Sequence, residues 1–104
     1  MSQPEAKPRT RTRPAIDVKE PPMYRVIYIN DNTTTIEFVV ESLITHFEYT
    51  SVTAEKITHD IHQAGAAVVA ILPYEIAEQK GIEVTVSARS QGYPLQIKLE
   101  ADES

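Results

Sequence analysis

The sequence contains no cysteine. That excludes disulfides and thiolate chemistry, and nothing points to an oxidising compartment. No apolar run approaches the roughly 20 residues of a membrane span. The first residues hold no apolar core of a secretory signal, so a cytoplasmic protein is expected. There is no G-x-S-x-G segment and no glycine-rich phosphate loop, which removes two common settings for catalysis. No internal repeat is visible.

What remains is an ordinary soluble composition. The chain has 104 residues, 41% hydrophobic and 24% charged, which suits one small globular domain. The net charge of −5 is unevenly spread. Lys7, Arg9, Arg11, Arg13 and Lys19 outweigh Glu5, Asp17 and Glu20 in the first twenty residues. The rest of the chain is therefore strongly acidic. An acidic core disfavours nucleic acid as the main partner and suits a cationic ligand.

Residues 1–22 carry five prolines, Pro4, Pro8, Pro14, Pro21 and Pro22, and few large apolar groups. Such a segment buries too little surface to offset its ordering entropy. A disordered extension is expected there, with Arg9 to Arg13 as a solvated tether. Met23 to Ile29 is β-branched and aromatic, which predicts a strand that is central or covered on both faces. Asn30 to Thr34 is a polar hinge. Thr34 or Thr35 is suited to cap the next helix, and the Thr34–Glu37 spacing matches a capping box. Ile36, Val39, Val40, Leu43, Ile44 and Phe47 then keep a helical period as far as Phe47 or Glu48.

Ser51 or Thr53 is expected to cap a second helix that Gly65 stops. Its core row is Ile57, Ile61 and Ala64, with Thr58 and His62 on the rim. Ala66 to Leu72 reads as a buried strand. After Pro73 the signals conflict. Ala77, Gly81, Val84 and Ala88 suit a helix face, whereas Ile82, Val84 and Val86 alternate as in a strand, which propensity favours for residues 82–87. Leu95, Ile97 and Leu99 form a last strand, and residues 101–104 are expected to fray.

Two chemistries compete with simple binding. His59 and His62 lie three apart on one helix, but no further ligands stand at metal-site spacings. His62 and Asp31 are a possible base pair without a nucleophile. A binding site fits better. Asn30, Asp31 and neutral His62 are acceptors for a small cation, beside the apolar Ile36, Val39, Ile61 and Leu95.

The run from Tyr24 through Val26, Asn30, Asp31, Thr34 and Glu37 to Val39 resembles the ClpS adaptor family, with its Y-x-V-x-x-x-N-D-x-x-T-x-x-E-F-V pattern. Ile61-His62-Gln63-Ala64-Gly65, Ala77 to Lys80 and Tyr93-Pro94-Leu95 extend the likeness over residues 21–100. The resemblance implies a three-stranded antiparallel sheet packed against three helices in the order β-α-α-β-α-β. It therefore implies helix for residues 82–87, and an adaptor core over 23–100. It implies an adaptor without catalytic residues, cofactor or metal, acting as a monomer away from membranes and nucleic acid. Such adaptors bind an N-terminal Leu, Phe, Tyr or Trp and deliver N-degron substrates to a ClpA-type AAA+ unfoldase.

By the same resemblance, Asn30, Asp31 and His62 hold the substrate's α-amino group. Thr34, Ile36, Val39, Thr58, Ile61 and Leu95 line the side-chain pocket. Glu75, Glu78 and Lys80 lie on the unfoldase-docking face. Four positions depart from the common pattern. Asn32 stands for a second Asp, Thr35 for a Pro and Ile36 for a gating Met. Thr58 stands for a larger apolar residue, which widens or wets one wall. The alternative reading is a protein–protein interaction module with no N-terminal-residue pocket.

Overall fold

Strand β1 (Met23–Ile29), helices α1 (Ile36–Phe47) and α2 (Ser51–Ala64), strand β2 (Ala66–Pro73), helix α3 (Tyr74–Ser90) and strand β3 (Gln96–Ala101) follow one another in the computed structural model, which describes residues 22–103. The expected disordered extension therefore lies almost wholly outside the described residues. The sheet is antiparallel with the order β2-β1-β3, so β1 is central, as its two-faced apolar pattern suggests. α3 packs on all three strands, α2 packs on β2, and α1 packs on α2 and α3. The result is the expected two-layer α+β fold.

The period-2 rule assigns the two sheet faces. Tyr24, Val26 and Tyr28 face the helices, with Ile97 and Leu99 opposite them on β3. Val26 and Tyr28 are fully buried. The Tyr28 hydroxyl bonds the Ser42 hydroxyl at 2.7 Å, and Ser42 donates in turn to the Val39 carbonyl at 2.8 Å. Burial pushes the Tyr28 phenol far up, against the smaller opposing pull of Ser42, so it stays a neutral donor. That chain of bonds ties β1 to α1 through the core.

β2 departs from the fully buried strand its composition implies. Val69 is buried, but Val68 and Ile71 are 43% and 46% exposed. β2 is an edge strand, and no described element covers the outer sheet face. A register shift between Val26 and Ile27 accommodates the extra β2 residue.

α3 resolves the conflict at residues 82–87 in favour of helix. Ala77, Gly81, Val84 and Ala88 make one buried stripe, which leaves Ile82 and Val86 exposed. The three small side chains let the helix lie close on the sheet; a Cβ on Gly81 would sit 3.6 Å from Ile97. Tertiary packing here outweighs β-propensity. Pro73 precedes α3 and is the last β2 residue, not the first helical one.

The α1 cap is one of the two expected threonines, and the α2 cap falls one residue before the expected Ser51. Thr35 caps α1, accepting from the Phe38 N–H at 3.1 Å, while the Thr34 hydroxyl is taken by Asp31, so the Thr34–Glu37 capping box does not form. Thr50, not Ser51 or Thr53, caps α2. Gly65 ends α2 at φ 87°, as expected. Fraying does not begin at 101: Ala101 closes β3, and the Asp102 N–H bonds the Met23 carbonyl at 2.8 Å.

Thr35→Ala removes the α1 cap and is expected to cost about 1 kcal/mol in urea denaturation, whereas Thr35→Ser keeps the acceptor and most of the stability. Equal losses for the two variants would show that the hydroxyl is not what holds the helix start.

Candidate functional site

The hinge after β1 is held from two sides by the sheet register. Ile29 pairs with Ala66 on one side and with Gln96 on the other. Asn30, the next residue, therefore comes between Gly65 and Leu95. Its N–H bonds the Gly65 carbonyl at 2.9 Å, while the Gly65 N–H bonds back to Ile61 at 2.9 Å. The hinge is thus fastened to the C-terminal end of α2. His62 sits in that last turn and is exposed. Residues 30, 62 and 95, far apart in sequence, are brought to one end of the sheet.

Asp31 builds the hinge itself. Its Oδ1 accepts from the Thr33 N–H at 2.8 Å and the Thr34 N–H at 2.7 Å, and its Oδ2 accepts from the Thr34 hydroxyl at 2.8 Å. This is the short-range Asx geometry that reverses a chain. Partial burial pushes the carboxyl up, but the Thr34 and Thr33 donors and the Arg89 charge outweigh it, so Asp31 titrates below its ordinary value. Among the described residues no hydrogen bond joins Asp31 to His62, so the two do not form a base pair here. His59 is exposed beside it on α2, and the described residues hold no cluster of three or more metal-ligating acids and histidines.

The apolar residues expected at the site lie in the core. Val39, Ile61 and Leu95 belong to one buried cluster and are at most 7% exposed. Thr58 joins them at 5% exposure rather than standing on the rim, and Ala64 is exposed instead of in the core row. Helix phase explains this: Ala54, Thr58 and Ile61 form the buried stripe of α2. The Thr58 hydroxyl donates to the Ala54 carbonyl at 2.7 Å, so it is satisfied within its own helix and does not wet the wall. Thr34 is half-buried, and Ile36, at 59% exposure, is the one outward apolar member of the set.

Arg89 is a residue that sequence reading missed. Its Nη1 donates to the carbonyls of Tyr93 (3.0 Å) and Leu95 (2.8 Å), clamping the turn that delivers Leu95. Its only sequence signal was a basic residue in the last turn of a helix. Glu75, Glu78 and Lys80 lie apart from the hinge, in the first half of α3, with both acids exposed. No helix among the described residues is long and apolar enough to cross a membrane.

The Asp31 contacts predict a titration. A carboxyl with a lowered folded value contributes stability above its unfolded value, and loses it as pH falls through the folded one. In an NMR titration the Thr33 and Thr34 amide shifts should therefore move with a midpoint below the ordinary aspartate value of about 3.9. A midpoint at or above that value would remove the hinge bonds as the cause.

Comparison with known proteins identifies relatives of this chain. Residues 19–98 match the family model described as ATP-dependent Clp protease adaptor protein ClpS. The ClpS adapter of Clostridium acetobutylicum is 43% identical over 82 residues, which cover 79% of this chain and 81% of that protein. ClpS 1 of Rhodopseudomonas palustris is 37% identical over 103 residues, covering 99% of this chain and all of that protein. The structure of Agrobacterium tumefaciens ClpS2 bound to L-phenylalaninamide superposes with a TM-score of 0.77 at 32% identity, covering 80% of this chain and all of that one. The chain belongs to the ClpS family of Clp protease adaptors, which are adaptors and not enzymes.

Proposed function

We propose that this adaptor binds the N-terminal residue of N-degron substrates, with Leu, Phe, Tyr or Trp preferred, and delivers them to a ClpA-type AAA+ unfoldase. The observation that carries the reading is the Asn30–Gly65 bond, which fastens the Asn30-Asp31 hinge to the helix end that bears His62. The ligand of the similar Agrobacterium protein has matching parts, a free α-amine and a benzyl side chain.

Each part has a physical reason. An α-ammonium is costly to dehydrate unless acceptors replace its water. Asp31 supplies charge, and Asn30 and neutral His62 supply oriented acceptors, each charge-assisted bond being worth about 1.5–3 kcal/mol. An internal peptide nitrogen lacks both the charge and the extra donors. The side chain of the first residue then goes to Thr34, Ile36, Val39, Thr58, Ile61 and Leu95. A buried Leu or Phe side chain adds about 1.5–3 kcal/mol. Most of that set is already packed, so entry requires side-chain movement. Ile36 is the exposed member that gates it, and its β-branch on a helix leaves it one main rotamer. A β-branched substrate residue meets that stiff wall, and a charged one finds no partner.

Glu75, Glu78 and Lys80 form the face offered to the unfoldase. The protein works in the cytoplasm as a monomer.

Two peptides that differ only in acetylation of an N-terminal Phe test the reading by calorimetry. The free amine is expected to bind about tenfold tighter or more, the equivalent of at least one charge-assisted bond. Equal affinities would overturn it and favour a protein–protein module without such a pocket.

Asp31→Asn sharpens the assignment. It keeps the Oδ1 acceptor for Thr33 and Thr34 but loses the charge. The affinity for the free Phe peptide should drop about tenfold or more with the fold intact by circular dichroism. Undiminished binding would take Asp31 out of the site.

A further inference from the structure

A cleft of about 660 Å³ opens at the start of α3, at a place the amine site does not use. Its walls are Pro22, Tyr24, Pro73, Tyr74, Glu75 and Ile76. The Tyr24 and Tyr74 rings meet edge to face, with centroids 4.9 Å apart. Tyr74 and Ile76 are 41% and 44% exposed. The Tyr74 hydroxyl donates to Glu78 Oε2 at 3.0 Å, which brings a second carboxylate beside exposed Glu75. Paired tyrosines and prolines with acids at the rim suit an extended, proline-bearing and cationic segment. Aromatic grooves take polyproline-type backbones, and guanidinium groups are attracted both to ring faces and to carboxylates.

We propose that this cleft is the docking site of the chain's own Pro8–Pro14 segment, Pro-Arg-Thr-Arg-Thr-Arg-Pro. Three observations select that occupant. The segment carries Arg9, Arg11 and Arg13 with no acid, and a proline at each end. Its charge complements Glu75 and Glu78. The chain also enters the fold at Pro22, which is itself a wall of the cleft. From Pro14 to Pro22 the backbone reaches at most about 29 Å, enough to double back across the neighbouring tyrosines. Tethering at that length raises the effective concentration to about the millimolar range, so weak contacts suffice to fill the cleft. A docked segment covers Glu75 and Glu78, two of the residues assigned above to the unfoldase-docking face. Tail docking and unfoldase docking would then compete, but the docking of the tail itself does not depend on the amine-site reading.

The lack of cysteine makes the test clean. A nitroxide on Thr10→Cys of the full chain, isotope-labelled and diluted into unlabelled protein, reports where the tail lies by NMR line broadening. Expected is about a twofold or greater intensity loss at residues 74–78 relative to α2. Glu75→Gln with Glu78→Gln should restore those signals, as should high salt, where the screening length shrinks to about 3 Å at 1 M. Equal broadening of α2 and residues 74–78 overturns the proposal. So does broadening that disappears on dilution, since the occupant would then be a second copy's tail. Broadening that survives the double substitution overturns the charge pairing on which the choice of occupant rests.

Discussion

The Asp31 carboxylate is the contact on which the site depends. It gathers three donors from Thr33 and Thr34 and thereby turns the chain from β1 into α1. A carboxylate offers about four lone-pair sites. With three in use, roughly one remains on Oδ2 for any ligand. The role proposed for Asp31 at a substrate amine is therefore mainly charge, held in place by the hinge, with Asn30 and His62 carrying more of the directed bonding. Arg89 stands close enough to act on Asp31 electrostatically while it clamps the Leu95 turn. The local field is thus less negative than one free aspartate would make it, and Asn32 adds no charge to correct this.

Much of this was legible in the sequence, for reasons that differ by element. β1 and α1 have clean periods because each buries one well-defined face, and Gly65 marks the end of α2 because only its left-handed φ serves there. α3 was not legible from local pattern. Ile82, Thr85 and Val86 carry strand propensity, and the decisive fact is that Ala77, Gly81 and Ala88 are small enough for a helix to lie on the sheet. Only the family resemblance supplied that. The exposure of Val68 and Ile71 was hidden for another reason: composition cannot tell an edge strand from a central one until strand order is known.

The site followed the same rule. Asn30, Asp31 and His62 were picked out by type and by resemblance, yet what joins them is the Ile29 register and the Asn30–Gly65 bond, which no local pattern encodes. Thr58 was misplaced to the rim because Ile57 outranks it in hydropathy. Its hydroxyl closes on Ala54, and so a polar residue occupies the buried stripe. The Thr34–Glu37 capping box was misread because Asp31 takes the Thr34 hydroxyl, leaving Thr35, the other candidate, as the cap.

The position of the hinge suits the recognition proposed for it. A three-stranded sheet has one central strand, and here the hinge leaves its end. The backbone at Ile29 is paired on both sides, so Asn30 starts from a fixed point, whereas a loop leaving an edge strand is fixed on one side only. Acceptors placed this way are ordered before a ligand arrives, and the ligand need not offset their ordering entropy. Ile36 follows within a helical turn and is exposed, so the fixed polar hinge stands next to the one outward apolar residue of the proposed wall. In the proposed function, selectivity for an amine rests on the hinge and selectivity for a side chain on the Ile36 side of the site. On that reading the two can change independently, and substitution at Ile36 is expected to alter the accepted residue without loosening the hold on the amine.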